Sequence, residues 1–276
     1  MTTTADKTES VLGQPVRRKE DGRLITGQTL WTDNVTLPGM LYMTVLRSPM
    51  AHARITRIDV EPARQRPGVV AVYSGTDLAD SWSSLPMAWT VSEDLKTPPH
   101  MPLATDKVRY VGDGLAVVLA TDPYAAADAL EAIEVDYEPL PAVVGMPAAL
   151  ADGAPLVHDD IPNNRCFTFR LDYGDFEATR GRAEVVVKRQ FYNQRLIPNA
   201  MEPRAVVVAP TSPTGQVTVW SATQVPHFVR IFLALNTGVP EHQIRVIAPD
   251  VGGGFGSKLD IYAEEVIAFV VARKRG

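Results

Sequence analysis

Apolar and polar positions alternate through residues 41–46; Ile55, Ile58 and Val60 then stand among charges at 54–60, and a β-branched run follows at 69–73. A period of two marks half-buried strands, so three are predicted here. Between the second and third, Glu61-Pro62-Ala63-Arg64 reads as a short helix with proline at its start, giving a strand–helix–strand unit. Residues 80–106, with Pro86, Pro98, Pro99 and Pro102, form a long connection, and a loop of that length is usually functional or lies across a partner. The unbroken apolar run 115–120 predicts a buried strand, Asp122-Pro123 opens a helix through Ala132, and 133–137 returns as a strand. Glu138-Pro139-Leu140-Pro141 closes this second unit.

The Pro- and Ala-rich stretch that follows predicts a linker at 142–164, crossed by few apolar contacts, between a first domain at 15–141 and a second at 165–276. Residues 1–14 read as a disordered lead-in. The second domain is expected to hold strands at 167–173, 185–192, 205–209 and 216–221, with a helical turn at 175–180. After the last of these come the loop Ala222-Thr223-Gln224, an amphipathic helix at 226–236, a strand at 244–248, the loop 250–258 and a helix at 261–274. Two strands joined by a crossover helix run parallel if they are neighbours, which puts both loops on one edge of the sheet. The last helix carries Ile261, Val266, Ile267, Phe269, Val270 and Val271, more apolar surface than one neighbour is expected to cover. The fold class is therefore α/β (α+β).

Composition narrows the function. A chain of 276 residues, 45% hydrophobic, can bury two ordinary cores. A net charge of −5 with no like-charge run leaves no electrostatic footprint for nucleic acid. The longest apolar runs, 115–120 and 266–272, fall well short of a membrane span, and the polar N-terminus lacks the pattern of a secretory signal. The single cysteine, Cys166, fits a reducing cytoplasm and is expected to be buried and inert.

Chemistry concentrates in the two loops. In Gly252-Gly253-Gly254-Phe255-Gly256 no Cβ hinders the backbone from approaching a ligand, so its amides can form an anion cradle, with Lys258 just beyond. The order Gly256-Ser257-Lys258 fails the Walker pattern, and Ser257 stands where a dinucleotide fingerprint needs glycine. Gly112-Asp113-Gly114 precedes a strand and reads as a turn, there is no Gly-x-Ser-x-Gly elbow, and the five histidines lack ligand spacing. From the residues alone, a plain glycine turn stays open for 252–256, and a helix cap for Gln224. Glu202 and Arg204 read as a structural ion pair or as pocket-shaping groups, Lys258 as loop support or a solvated charge, and His227 and Arg230 as facing outward or meeting a neighbouring domain.

At these loops the chain resembles the molybdenum hydroxylases, the xanthine oxidase family, and within them the large subunit of the carbon monoxide dehydrogenase type. Gly252 to Lys258 looks like the family's glycine–phenylalanine–glycine loop and Ser221-Ala222-Thr223-Gln224 like its glutamine loop. The match extends through Gly22-Arg23-Leu24-Ile25-Thr26-Gly27, Arg47-Ser48-Pro49-Met50-Ala51-His52-Ala53, Val111-Gly112-Asp113 and Met201-Glu202-Pro203-Arg204. The resemblance implies an α/β hammerhead domain followed by the first part of a molybdopterin-binding domain. It implies molybdenum on a pterin dithiolene, as the molybdopterin cytosine dinucleotide, with Gln224 donating to it and Gly253, Gly254, Phe255 and Gly256 packing or donating around it. No side chain of this chain is expected to ligate the metal.

The implied reaction is oxidation or hydroxylation of a small substrate with water, passing electrons to an iron–sulfur small subunit and an FAD-binding medium subunit in a dimer of heterotrimers. Leu259 stands where purine-oxidising relatives carry glutamate, which disfavours a xanthine-like substrate. The family's catalytic glutamate is expected beyond Gly276, so the chain reads as a truncated or split product, or a gene fragment, lacking the subunit's C-terminal part. Two functions remain open: part of an oxidoreductase, or a non-enzymatic module that keeps subunit-binding surfaces without turnover.

Overall fold

The computed structural model of the chain describes residues 12–87, 89–210 and 215–276; most of the expected lead-in lies outside them. The strands are β1 (Tyr42–Arg47), β2 (Ala53–Asp59), β3 (Val69–Ser74), β4 (Lys107–Val108), β5 (Gly114–Ala120), β6 (Glu134–Pro139), β7 (Val206–Ala209), β8 (Val217–Ser221) and β9 (Ile244–Ile247). The helices are α1 (Asp21–Ile25), α2 (Glu61–Arg64), α3 (Pro123–Leu130), α4 (Met146–Ala149), α5 (Phe176–Gly181), α6 (Pro226–Thr237) and α7 (Ala263–Arg275).

Three three-stranded sheets result, ordered β1-β5-β3, β4-β2-β6 and β7-β8-β9. Each strand–helix–strand unit spans two sheets: α2 leads from β2 in the second sheet to β3 in the first, and α3 leads from β5 in the first to β6 in the second. The first two sheets are antiparallel throughout. Strand β5 sits centrally, with all seven residues buried. Its alternation divides two cores: Ala116, Val118 and Ala120 meet Ala63, Ala126 and Ala129 of α2 and α3, while Val117 and Leu119 face the other way. Alanines on the helix side let α3 lie close to the sheet. The Asp122 side chain caps α3 by accepting the N–H groups of Tyr124 and Ala125 at 3.0 and 2.9 Å.

On the other side Val117 and Leu119 join one cluster with Val219 of β8, Val229 and Leu233 of α6, and Val266, Ile267 and Phe269 of α7. The expectation of few apolar contacts across 142–164 therefore does not hold. Nor does the expected surplus of apolar surface on the last helix: α7 packs against β7 and α6 and shares a cluster with the first sheet, and Val266, Ile267, Phe269, Val270 and Val271 are all buried.

Two other expectations fail between β6 and β7. Neither 167–173 nor 185–192 forms a strand. Alternation gives a segment a face to bury but no hydrogen-bonded neighbour, and these residues pair with no strand among those described, leaving Phe169, Leu171, Tyr173, Val185, Val187 and Phe191 exposed. Cys166 lies at the start of this stretch and is exposed, not buried; its backbone carbonyl accepts the Lys96 N–H at 2.9 Å.

Candidate functional site

Strands β8 and β9 pair in parallel from Val217↔Ile244 to Trp220↔Ile247, with α6 as their crossover. Gln224 and the glycine loop accordingly leave the same sheet edge, where helix N-termini gather. Gln224 stands two residues before α6, whereas six residues, 257–262, separate the glycine loop from α7. Helix α6 has no side-chain cap, so the cap reading of Gln224 does not hold; just ahead of it the Thr223 hydroxyl accepts the Val225 N–H at 3.1 Å.

The Gln224 side chain turns to the glycine loop instead. Its Oε1 accepts the backbone N–H groups of Gly256 at 3.1 Å and Lys258 at 3.3 Å. With the carbonyl end occupied by two donors, the NH2 end is the part left to donate outward. The Gln224 backbone is fixed as well, its N–H donating to the Lys258 carbonyl at 2.9 Å, with the Thr223 hydroxyl on the same oxygen at 3.2 Å.

The loop is shaped by glycines at only some positions. Gly253 and Gly256 have φ of 99° and 88°, which a side chain would resist, and a Cβ on Gly254 would lie 2.4 Å from Gln224 Oε1. Phe255 holds φ 52°, rare for an aromatic residue and costing about 1–2 kcal/mol, with its ring three-quarters exposed. The carbonyl of Gly254 accepts both the N–H and the hydroxyl of Ser257, at 2.9 and 2.8 Å. A trans peptide points its N–H opposite to its carbonyl, so the Phe255 N–H faces away from Ser257. Among the described residues the N–H groups of Gly253, Gly254 and Phe255 meet no acceptor, which leaves three neighbouring donors beside the Gln224 NH2.

Sequence reasoning missed what braces this cradle. Glu202 pairs not with Arg204 but with Lys258, whose ammonium lies 2.9 Å away and is almost wholly buried. Lys258 is thus loop support, its charge spent on Glu202. Arg204 instead stacks over the Tyr262 ring, 3.6 Å from its centroid, and with Arg47 flanks Glu264. Asp250, just before the loop, is held by Arg23 and by two bonds to Leu30: its carboxylate Oδ2 accepts the Leu30 N–H at 3.0 Å and its backbone N–H donates to the Leu30 carbonyl at 2.9 Å. Arg23 keeps the Asp250 carboxyl below the usual range. The motif around Arg23 was the only sequence signal for this contact. His227 is exposed, in keeping with the outward reading, whereas Arg230 is half-buried and reaches Glu241 at 3.3 Å.

Behind the sheet edge, Ser221 and the Tyr262 N–H donate to the two oxygens of Glu265, at 3.2 and 2.8 Å. Burial pushes this carboxyl up to about 7, against the pull of the Tyr262 N–H and Arg204. A group that holds its proton more tightly when folded stabilises most below the ordinary carboxylate range and loses that contribution as pH rises to about 7. Thermal unfolding should therefore show stability falling between about pH 4.5 and 7, by about 3 kcal/mol at most, and Glu265→Gln should flatten that fall. An unchanged slope in the variant would assign the fall to other groups.

Two family models match the chain: aldehyde oxidase and xanthine dehydrogenase, a/b hammerhead domain, over residues 26–141, and molybdopterin cofactor-binding domain, over 157–276. The chain belongs to the molybdenum hydroxylase (xanthine oxidase) family, as an α/β hammerhead domain joined to part of a molybdopterin-binding domain. It is 39% identical to the carbon monoxide dehydrogenase large chain of Afipia carboxidovorans, over 98% of this chain and 34% of that one. It is 33% identical to the nicotine 6-hydroxylase large subunit of Paenarthrobacter nicotinovorans, over 94% and 32%. Among solved structures, quinoline 2-oxidoreductase from Pseudomonas putida 86 superposes with a TM-score of 0.87 at 38% identity, covering 95% of this chain and 33% of that one. The Cu,Mo-CO dehydrogenase superposes with a TM-score of 0.81, also at 38% identity, covering 94% and 34%. The chain thus spans about a third of the length of the relatives it matches. No helix among the described residues is long and apolar enough to cross a membrane.

Proposed function

We propose that this chain supplies one wall of a molybdenum cofactor site in a cytoplasmic oxidoreductase that oxidises or hydroxylates a small substrate: carbon monoxide, an aldehyde or an N-heterocycle. The observation that carries the reading is the donor set at the sheet edge. Four donor groups without an acceptor among the described residues, the Gln224 NH2 and the backbone N–H groups of Gly253, Gly254 and Phe255, sit side by side on the two loops of this edge. An oxo-metal group or a phosphate carries no proton to give and needs such donors, so the residues fit the group. When bound, the pterin-held molybdenum supplies the two-electron oxidation, with water as the oxygen source. The chain's own residues hold and orient: the Gln224 NH2 donates, Gly253, Gly254 and Phe255 offer backbone N–H groups, Gly256 fixes the Gln224 amide, and the Phe255 ring stands as an apolar wall.

The cofactor is proposed to be the cytosine dinucleotide form. Electrons would leave through iron–sulfur clusters and FAD on small and medium subunits of a dimer of heterotrimers. The division into 15–141, a linker at 142–164 and 165–276 belongs to the same proposal. The test is Gln224→Leu in the native complex. Removing a donor to a cofactor oxygen should cut turnover or molybdenum retention roughly 10–100-fold while the fold stays intact. Wild-type turnover and molybdenum content in the variant would refute the assignment.

A further inference from the structure

We infer that Glu202 is a positioning residue of this site: one of its carboxylate oxygens ties both ends of the glycine loop and sets the spacing at which the loop offers its N–H groups. This rests on the cofactor reading above. Glu202 Oε2 accepts the N–H of Gly252, where the loop begins, at 2.7 Å, and the ammonium of Lys258, where it ends, at 2.9 Å. The backbone joins in, since the Glu202 N–H donates to the Gly252 carbonyl at 3.2 Å. The approach is so close that a Cβ on Gly252 would lie 2.6 Å from Glu202 Cβ.

Lys258 carries the constraint onward to Gln224. Its N–H donates to Gln224 Oε1, and its carbonyl accepts the Gln224 N–H. A single carboxylate therefore governs both groups of donors, the three loop amides and the Gln224 NH2. Stability alone explains the pair poorly. The side chains of Lys258 and Glu202 are 1% and 13% exposed, and Glu202 Oε1 is buried without a partner among the described residues. Desolvation offsets much of the attraction in such a pair, and an apolar pair of similar volume often serves stability as well. What the ion pair supplies is a fixed distance between the loop's two ends.

The experiment compares Glu202→Asp, Glu202→Gln and Lys258→Met with the wild type in the native complex. It reads hydrogen exchange of peptides covering the loop and the β8 and β9 strands, together with molybdenum per chain. Asp draws the carboxylate back from both donors while keeping its charge, and Gln keeps an acceptor but loses the charge. Loop exchange should rise roughly tenfold or more in Glu202→Asp and Lys258→Met and less in Glu202→Gln, with strand exchange unchanged and molybdenum lost in the same order. Should the shortened variant fail to fold, Glu202→Gln and Lys258→Met still decide. Loop exchange at the wild-type rate in variants that fold, or a uniform rise in loop and strands alike, would overturn the positioning role. A wild type without molybdenum whose variants still loosen the loop selectively would sink the cofactor reading and leave Glu202's hold on the loop standing.

Discussion

Gly254→Val should reduce molybdenum in the purified complex to background while leaving the sheet folded. Gly254 is buried against the Gln224 side chain, and an added Cβ would lie 2.4 Å from Oε1, 2.6 Å from Cδ and 2.7 Å from Cγ of that residue. Gln224 cannot simply swing aside without breaking its two bonds to the loop, from the N–H groups of Gly256 and Lys258. Either the glutamine leaves its post or the loop backbone moves outward, and both disperse the four donors. Overpacking of this kind costs about 1–3 kcal/mol locally, too little to unfold the cluster around Val219, Leu233 and Ile267 but enough to spoil a cradle whose value lies in its geometry. Metal analysis and far-ultraviolet circular dichroism on the same preparation check it. Full molybdenum occupancy in a folded variant would show that Gly254 and Gln224 need not touch.

The second large effect concerns the 276-residue chain by itself. Supplied with cofactor and an artificial electron acceptor, it should oxidise none of carbon monoxide, aldehydes or N-heterocycles. Of its four donor residues Gln224 and Phe255 are exposed and Gly253 is half-buried, so this wall can touch a cofactor but cannot exclude water from it. The chain also spans only about a third of the length of the relatives it matches, and a general base must stand within hydrogen-bond reach of the reacting water. The isolated chain should self-associate as well, through the exposed Phe169, Leu171, Tyr173, Val187, Phe191 and Tyr192 rather than through α7. A monomeric chain that turns over any of these substrates would show that the site is complete as it stands.

The parts of this molecule legible in its sequence are those fixed by local pattern. The run 115–120 could only be a strand buried on both faces, and it became the centre of the first sheet. Strand, loop, helix, strand and loop in succession implied one shared edge for Gln224 and the glycines, and the parallel pairing of β8 with β9 provides it. Period two, however, names a strand and not its sheet, so the passage of α2 and α3 between two sheets was invisible. Alternation at 167–173 likewise promised a strand where no ladder partner exists among the described residues. Partner choice failed over distance. Glu202 meets Lys258 rather than the adjacent Arg204, and Asp250 meets Arg23, because chain folding and not spacing brings these charges together.

The most direct measurement is the molybdenum content of this protein purified from its native host, with its co-purifying chains identified. The account predicts close to one molybdenum per chain, held with a pterin, alongside subunits carrying iron–sulfur clusters and flavin. Protein that purifies folded, free of molybdenum and pterin, and without such subunits would contradict it and favour a module that binds without turnover.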